Sequence, residues 1–343
     1  MKKVTALAMA AVVAASALTG CGSSSTAETT AAAAETTTAA ADSTEAAKED
    51  GKTYNVGICQ LVQHPALDAA TEGFQAALKD KLGDKVTFDL QNASGDSATC
   101  ATIINQFVSN DVDLILANAT AALQAAAAGT SEIPILGTSI TDYATALDID
   151  NWTGTTGLNI SGTSDLAPLD QQAAMLNELF PDAKNVGLLY CSAEPNSTYQ
   201  ADLAKKYLEE QKIPYAIYTA ADSNEIQAVV TKAVADCNAM YIPTDNTFAN
   251  NMEIVKNIAV PARVPTVTGA EAMCEVGALA TLSISYYDLG AKAAEMAYDI
   301  LVNGKKPAEM PIEYLTDGLV PKYNADIAEA LGVTIPEGME PVA

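Results

Sequence analysis

The side chains that most often perform catalysis or bind metals are scarce in this chain. Among its 343 residues there is one histidine, His64, and one arginine, Arg263. As a general base, His64 would need a nucleophile and an orienting carboxylate, and the sequence contains no nucleophile-elbow motif. Neither a GxGxxG nor a GxxxxGK[S/T] pattern occurs, so nothing indicates a dinucleotide or a nucleoside triphosphate. The sequence therefore predicts no catalytic residues, no metal site and no cofactor.

Charge excludes two further classes of partner. The formal net charge is -25, and residues 54–343 contain 14 basic and 37 acidic side chains. Such a surface repels nucleic acid and anionic lipid headgroups. A hydrophobic content of 49% is sufficient for a large core, so the chain is predicted to fold into one large or two medium domains.

The N-terminus has the features of an export signal. Basic residues Lys2 and Lys3 precede an apolar run at 4–18, which is too short to cross a bilayer. The run ends in Leu-Thr-Gly-Cys21, which resembles the lipobox at which bacterial lipoproteins are acylated and cleaved. We expect residues 1–20 to be a signal peptide and Cys21 to be lipidated on the extracytoplasmic face of the cell membrane. The alternative is an ordinary signal peptide with an accidental cysteine.

A polar segment follows the signal. Residues 21–53 are rich in Ala, Thr, Ser and Glu and have no large apolar side chain, which predicts a disordered linker rather than an Ala-rich helix. Five cysteines follow in the rest of the chain, an odd number without a CxxC motif, and are expected to be buried thiols. The sequence leaves open whether any of them pair.

From residue 54 the chain alternates strands with helices. Strands are predicted at 54–59, 86–90, 112–117, 133–137, 185–190, 215–218, 239–242 and 266–268. Helices are predicted at 119–128, 168–180, 197–211, 247–259, 289–302 and 324–331. Three further helices are predicted to begin at Pro65, after Asp96 and at residues 222–225. This order predicts an α/β fold with two doubly wound parallel-sheet lobes.

Three crossings should divide the chain between the lobes. They are expected near 161–165, 283–287 and 316–318. The N-terminal lobe would comprise residues 54–162 plus 285–315, and the C-terminal lobe 163–284 plus 316–343.

Short polar residues follow several predicted strands. Because the carboxyl ends of the strands should face each other across the two lobes, these side chains are expected to form a hydrogen-bonding cleft. They are Gln60, Asn118, Thr120, Thr138, Ser139, Glu194, Asn196, Ser197, Asp245, Asn246 and Thr247.

A set of motifs in a fixed order extends this interpretation. They are HPALD at 64–68, DLILANAT at 113–120, TD at 141–142, NISGTSD at 159–165, YCSAEPNS at 190–197, PTDNT at 243–247 and YDLG at 287–290. Together they resemble the substrate-binding lipoproteins of ABC importers, in the branch linked to tryptophan and tyrosine uptake. This resemblance implies a type I periplasmic binding protein fold, a small amino acid ligand of aromatic type, delivery to an ABC permease, and a monomer.

A zwitterionic amino acid needs donors for its carboxylate and acceptors for its ammonium group. The helix starting near Thr120 offers free backbone N–H groups, and Thr138 and Ser139 could add hydroxyl donors. Asp142, Glu194 and Asp245 are candidates for the ammonium group, and solvated surface charges are the alternative. Asn196, Ser197, Asn246 and Thr247 are expected either to contact ligand or to cap helices.

The remaining candidates concern the ligand's side chain. His64 is expected to be a packed or ligand-facing loop residue, and Leu67, Tyr143 and Tyr287 are candidates for packing against an aromatic ring. Three rival functions stay open at this point: a receptor for another amino acid or a nucleoside, a surface hydrolase, and a surface protein without a transport role.

Overall fold

The computed structural model describes residues 51–315 and 319–342. The predicted signal peptide, Cys21, nearly all of the predicted linker and the third predicted crossing lie outside the described residues. Within the described ranges, no helix is both long and apolar enough to cross a membrane.

The first part of the chain forms five strands and four helices. They are β1 (Tyr54–Gln60), α1 (Pro65–Leu82), β2 (Val86–Asn92), α2 (Ser97–Ser109), β3 (Leu114–Asn118), α3 (Thr120–Gly129), β4 (Ile135–Ile140), α4 (Tyr143–Ala146) and β5 (Ile160–Ser164). The side chains of β3 and β4 are buried throughout, as expected for central strands with helices on both faces.

The second part repeats the alternation. Its elements are α5 (Leu169–Leu179), β6 (Val186–Cys191), α6 (Pro195–Glu210), β7 (Tyr215–Ala220), α7 (Ile226–Asp236), β8 (Ala239–Ile242), α8 (Asn246–Ala249), α9 (Met252–Ala259), β9 (Thr266–Thr268), α10 (Glu271–Gly277) and β10 (Ala280–Leu282). The tail adds α11 (Tyr286–Leu301), β11 (Glu313–Tyr314), β12 (Pro321–Tyr323), α12 (Ala325–Leu331) and β13 (Glu340–Pro341).

Two sheets define the lobes. The first has the strand order β11-β5-β4-β3-β1-β2 and is parallel throughout, whereas the second has the order β13-β12-β10-β9-β8-β6-β7. Only the pairing of β10 with β12 is antiparallel among the described strands of the second sheet. The prediction of two parallel-sheet α/β lobes is therefore confirmed. Because β5 pairs in the first sheet to Ser164, that lobe continues past residue 162 before the chain crosses.

Helix α11 returns to the first lobe and packs along α1. The two backbones meet at glycines: a Cβ on Gly73 would overlap the Tyr287 carbonyl oxygen, and a Cβ on Gly290 would overlap that of Ala70. Larger residues at these positions would separate the helices. The first turn of α11 therefore lies against the middle of α1.

One predicted helix is wrong. The predicted helix at 247–259 consists of two helices, α8 and α9. The Asn251 side chain donates to the Thr247 carbonyl oxygen at 2.7 Å, and a continuous helix would use that carbonyl for the Asn251 backbone N–H. The competing side-chain bond marks the break.

The five cysteines of the described chain, Cys59, Cys100, Cys191, Cys237 and Cys274, are all buried free thiols. The expectation of buried thiols is confirmed.

Candidate functional site

A narrow cavity of about 20 Å³ lies between the lobes. The first lobe contributes His64, Ala66, Leu67, Ser139 and Thr141. The second contributes Asn196, Thr244, Asp245, Asn246, Ala249, Ala270 and Met273, and Asp165 and Tyr286 line it beside the crossings. We call this space the inner cavity.

A larger and more open space of about 320 Å³ also involves both lobes, and we call it the outer cavity. Its walls include Glu194, Asn246 and Thr247 of the second lobe and Leu61 and Val62 of the first. Asn246 lines both cavities, so the inner cavity adjoins the outer one. Neither lining contains a lysine or an arginine among the described residues.

Asp165 is a buried carboxylate in the wall of the inner cavity. It follows β5 directly and accepts hydrogen bonds from Thr141 Oγ1 at 3.0 Å and from the Tyr286 hydroxyl at 2.7 Å. Burial raises the pKa of Asp165, although both hydroxyl bonds favour the ionised form. A cation brought into the cavity would stabilise the carboxylate.

Asp245 is the second buried carboxylate of the inner cavity, and its donors are backbone N–H groups rather than hydroxyl groups. It caps α8 by accepting from the Phe248 backbone N–H at 2.8 Å and also accepts from that of Cys191 at 2.6 Å. Burial, followed by the charge of Glu194, raises the pKa of Asp245 to about 8. Much of its hydrogen-bonding capacity is used to position the first turn of α8.

Glu194 also accepts hydrogen bonds from the first two residues of α8. Its two oxygens accept from the backbone and side chain of Asn246, at 3.1 and 2.7 Å, and from those of Thr247, at 2.8 and 2.7 Å. Asn196 Nδ2 donates to it at 3.1 Å. Glu194 therefore fixes the orientation of the polar side chains that line the cavities.

Ser139 combines two unusual features at the end of β4. Its φ is +57°, a left-handed conformation that side chains other than glycine rarely adopt. Its Oγ is buried and has no hydrogen-bond partner among the described residues. Strained backbone and an unpartnered buried hydroxyl are costly for stability, and both features are typical of binding sites.

Neighbouring β3 ends with similar features. The backbone of Ala119 has a φ of +90°, and Asn118 Oδ1 is buried without a described partner. Asn118 Nδ2 donates to the Leu67 carbonyl at 2.8 Å and to Thr71 at 3.0 Å. Gln60 accepts from the Thr71 hydroxyl at 2.7 Å, so this network holds the first turns of α1 against the sheet.

The structure brings some of the predicted residues to the cavities. His64, Leu67, Ser139, Asn196, Asp245 and Asn246 line the inner cavity, and Glu194 and Thr247 line the outer one. The others lie outside both linings. They are Gln60, Asn118, Thr120, Thr138, Asp142, Tyr143, Ser197 and Tyr287.

Tyr143, Tyr287 and Asp142 lie outside both linings, each in a different environment. Tyr143 is 1% exposed and lies within the core of the first lobe, with its hydroxyl bonded to the Thr163 carbonyl at 3.1 Å. Tyr287 is 44% exposed on α11. Asp142 caps α4 by accepting from the Thr145 backbone N–H at 2.7 Å. The Tyr143 side chain is therefore kept from the cavities by its burial in the core, and that of Tyr287 by its exposed position on α11.

In the inner cavity, the polar residues that were not proposed for the site from the sequence are Thr141, Asp165, Thr244 and Tyr286. The helical period could have identified Tyr286, because it lies on the same face of α11 as the buried Leu289, Gly290 and Ala293. Asp165 ends the NISGTSD motif at 159–165, which was used for the resemblance but not for the site. It follows a strand that was not predicted.

Comparisons with known proteins agree with this geometry. The family described as ABC transporter substrate binding protein matches residues 55–343. The tyrosine-binding protein of Clostridioides difficile is 35% identical over 334 residues, which cover 96% of this chain and 92% of that protein.

Two solved structures are informative about the lobes. The ABC domain from Streptococcus pneumonia in complex with L-Trp is 33% identical, has a TM-score of 0.80 and is matched over 84% of this chain and all of that one. The ligand-free, open structure of a substrate binding protein with adhesive properties from Clostridium difficile is 36% identical, with coverages of 84% and 99%, but its TM-score is 0.65. Over the whole chain, the structure described here is thus more similar to the L-Trp complex than to the ligand-free, open structure.

The predicted type I periplasmic binding protein fold is confirmed by these structures. The family and the ligand-free relative are described as substrate binding proteins and not as enzymes, in agreement with the sequence prediction. The chain belongs to the ABC transporter substrate binding protein family.

Proposed function

We propose that this protein is the extracytoplasmic receptor of an ABC importer. It binds an aromatic amino acid between the lobes at the inner cavity, which must widen to admit a ligand of that size, and delivers it to the membrane permease. The observation that carries this proposal is a cavity between two lobes, lined by two buried carboxylates and by no lysine or arginine. Such a cavity favours a ligand that brings its own positive charge.

Asp165 is the acceptor that we assign to the ligand's ammonium group. Its described side-chain partners are two hydroxyl groups, whereas Asp245 accepts from two backbone N–H groups at the start of α8. An ionised carboxylate has about four acceptor sites, so Asp165 retains capacity for a cation. Glu194 is occupied by Asn246 and Thr247, which argues against it.

Ser139 is the donor that we assign to the ligand's carboxylate. Its buried Oγ lacks a described partner, and the backbone strain at this residue holds the hydroxyl in the cavity wall. In the absence of a cationic side chain in this wall, hydroxyl, amide and backbone N–H groups would supply the donors. Asn196 and Thr244 line the same cavity from the second lobe.

An aromatic side chain has apolar surfaces to contact. Leu67 and Met273 lie on opposite lobes, with Ala66, Ala249 and Ala270 beside them. Methionine packs well against aromatic rings because its thioether is polarizable and flexible. The tyrosine-binding relative and the L-Trp complex support the same ligand class.

The anchor completes the proposal. Cys21 would carry the lipid and the segment at 21–53 would be the spacer that holds a monomeric receptor near the permease. Two acyl chains give firm attachment, because each buried CH₂ contributes about 0.8 kcal/mol.

A thermal-shift screen against the twenty amino acids, nucleosides and common sugars tests the proposed ligand. Ligand at a hundred times its Kd should stabilise the protein by about 2.7 kcal/mol. We expect a selective increase in Tm with L-tryptophan, L-tyrosine or L-phenylalanine. A selective increase with another compound would reassign the ligand, and no increase across the panel would contradict the amino acid receptor.

A surface-adhesion role is a second candidate, favoured by the adhesive properties of the relative from Clostridium difficile. Binding of the purified protein to immobilised host matrix, with and without L-tyrosine, would test it. Adhesion that persists while no small molecule binds would favour this role over transport.

A further inference from the structure

One hydrogen bond joins the lobes at the boundary of the two cavities. His64 immediately precedes α1 in the first lobe, and Asn246 begins α8 in the second. His64 Nε2 lies 3.3 Å from Asn246 Oδ1, and the His64 side chain is 6% exposed. Opening of the lobes would separate this pair and expose the imidazole to water.

The surrounding bonds specify which ring nitrogen carries the proton. Asn246 Nδ2 donates to Glu194 at 2.7 Å, so Asn246 presents its oxygen to His64. That oxygen accepts from a protonated Nε2. On the other side of the ring, Nδ1 accepts from the Leu67 backbone N–H at 3.5 Å and caps α1. The neutral imidazole with its proton on Nε2 satisfies both contacts.

A second proton would leave the Nε2–H bond to Asn246 in place, but on Nδ1 it would oppose the contact with Leu67. It would face the Leu67 N–H at the positive end of the α1 dipole, where a donor and a cation are both unfavourable. Burial by the second lobe adds a desolvation penalty to the charged ring. The unfavourable contact with the Leu67 N–H lies within the first lobe and is present whether the lobes are open or closed. The desolvation penalty arises only when the lobes are closed.

The bond to Asn246 and the neighbouring acids act in the opposite direction, because each favours the imidazolium. Asp68 of α1 and Glu194 of the second lobe favour the imidazolium, and Asp165 and Asp245 line the same cavity. Asp68 accepts from Gln60 at 2.7 Å and Glu194 from Asn246 and Thr247, so these two charges are already engaged. Burial dominates, and the pKa of His64 is lowered.

We propose that His64 and Asn246 form a proton-sensitive latch, in which protonation of the imidazole opposes closure of the lobes on an amino acid. This inference rests on the proposed function. His64 acts here as a positioning residue through Asn246.

The direction of the pH dependence follows from linkage. His64 binds its proton less readily in the closed form than in the open form, so closure on ligand releases protons below the ordinary histidine pKa of about 6.5. The titration of His64 therefore leaves the affinity for the ligand constant above a pH of about 6.5. Below it, affinity falls by at most about tenfold per pH unit.

The single histidine permits a direct test in the unmodified protein. We would follow the His64 ring by ¹H–¹⁵N NMR from pH 4.5 to 8, without ligand and with saturating L-tyrosine or L-tryptophan. We expect the Nε2–H tautomer in both forms and a titration midpoint that moves to lower pH with amino acid. An unchanged or raised midpoint, or an Nδ1–H tautomer, would overturn the latch.

Variants extend the test to affinity. His64→Asn keeps a favourable capping side chain but has no titrating ring, and Gln63→Asn alters the exposed neighbour as a matched control. Isothermal titration with L-tyrosine or L-tryptophan at pH 5, 6 and 7.5 compares them. Asp165 and Asp245 titrate in every variant. The quantity compared between the proteins is therefore the slope of ligand affinity against pH.

We expect a shallower loss of affinity at acid pH in His64→Asn than in the parent and in Gln63→Asn. Equal slopes in all three proteins would overturn the latch while leaving the receptor intact. Binding of neither amino acid at any pH would instead contradict the proposed function, and the latch with it.

Discussion

The Tyr286 hydroxyl donates a hydrogen bond of 2.7 Å to Asp165 Oδ2, and this bond joins the two segments beside which the chain passes between the lobes. Tyr286 begins α11, which packs on the first lobe, and Asp165 follows β5. Both are buried in the wall of the inner cavity. A proposed ligand-binding carboxylate is thus held beside the crossings between the lobes.

Tyr286→Phe should lower the free energy of unfolding of the ligand-free protein by about 1–3 kcal/mol, because a buried carboxylate loses one of its donors. Urea unfolding would measure the change. Tyr287→Phe is the matched control at the adjacent, half-exposed position and should change stability by less than about 0.5 kcal/mol. Equal effects of the two substitutions would contradict the role given to the Tyr286 hydroxyl.

Asp165→Asn should reduce affinity for the aromatic amino acid by about tenfold to a hundredfold, because a charge-assisted bond to the ammonium group contributes about 1.5–3 kcal/mol. Isothermal titration would give the affinities. Asp142→Asn tests the acid predicted from the sequence that lies outside the cavity lining, and it should retain the affinity of the parent. The reverse ranking would transfer the ammonium site to Asp142.

Substitutions at Ser139 should separate stability from binding. Ser139→Ala removes the unpartnered hydroxyl and keeps the strain, whereas Ser139→Gly removes both. We expect both variants to bind the amino acid more weakly, and the glycine variant to unfold with a free energy about 1 kcal/mol higher than the alanine variant. Thermal unfolding and titration calorimetry would measure the two effects. Undiminished affinity in both would exclude Ser139 as a ligand donor.

The pH dependence of stability should report on Asp245. Its pKa is about 8 in the folded protein, against about 3.9 for an unperturbed aspartate, so the folded state binds more protons between these values. This contribution lowers the free energy of unfolding as pH rises from about 4 to about 8 and then levels off. Urea unfolding at several pH values should show a shallower decline for Asp245→Asn. The exposed Asp202→Asn should keep the parental slope.

The fold was largely predictable because its signals are local. Continuous apolar runs identified the central strands, and residues such as Pro65 and Asp96 marked helix starts that the structure confirms. What escaped prediction was short or depended on tertiary pairing. Strand β5, with the sequence ISGTS, has no continuous apolar run, and the tail strands have only two or three residues each. The break between α8 and α9 depends on one side-chain bond from Asn251.

The candidate site was predictable only in part, for a different reason. Position after a strand identifies polar residues near the cleft but not the direction of their side chains. Gln60 and Asn118 turn toward Thr71 and support α1, whereas Ser139 lines the cavity. Asp165 became a candidate only when burial, cavity wall and two hydroxyl donors were seen together.

The backbone contact between α1 and α11 at Gly73 and Gly290 has a consequence for how ligand preference can change. It fixes the separation of the two helix starts, and with it the frame that carries His64 and Tyr286. Apolar residues of the cavity wall such as Leu67 and Met273 can then vary in size without altering that frame. Natural variation in the accepted side chain should therefore accumulate at such wall positions, while the two glycines tolerate no larger residue.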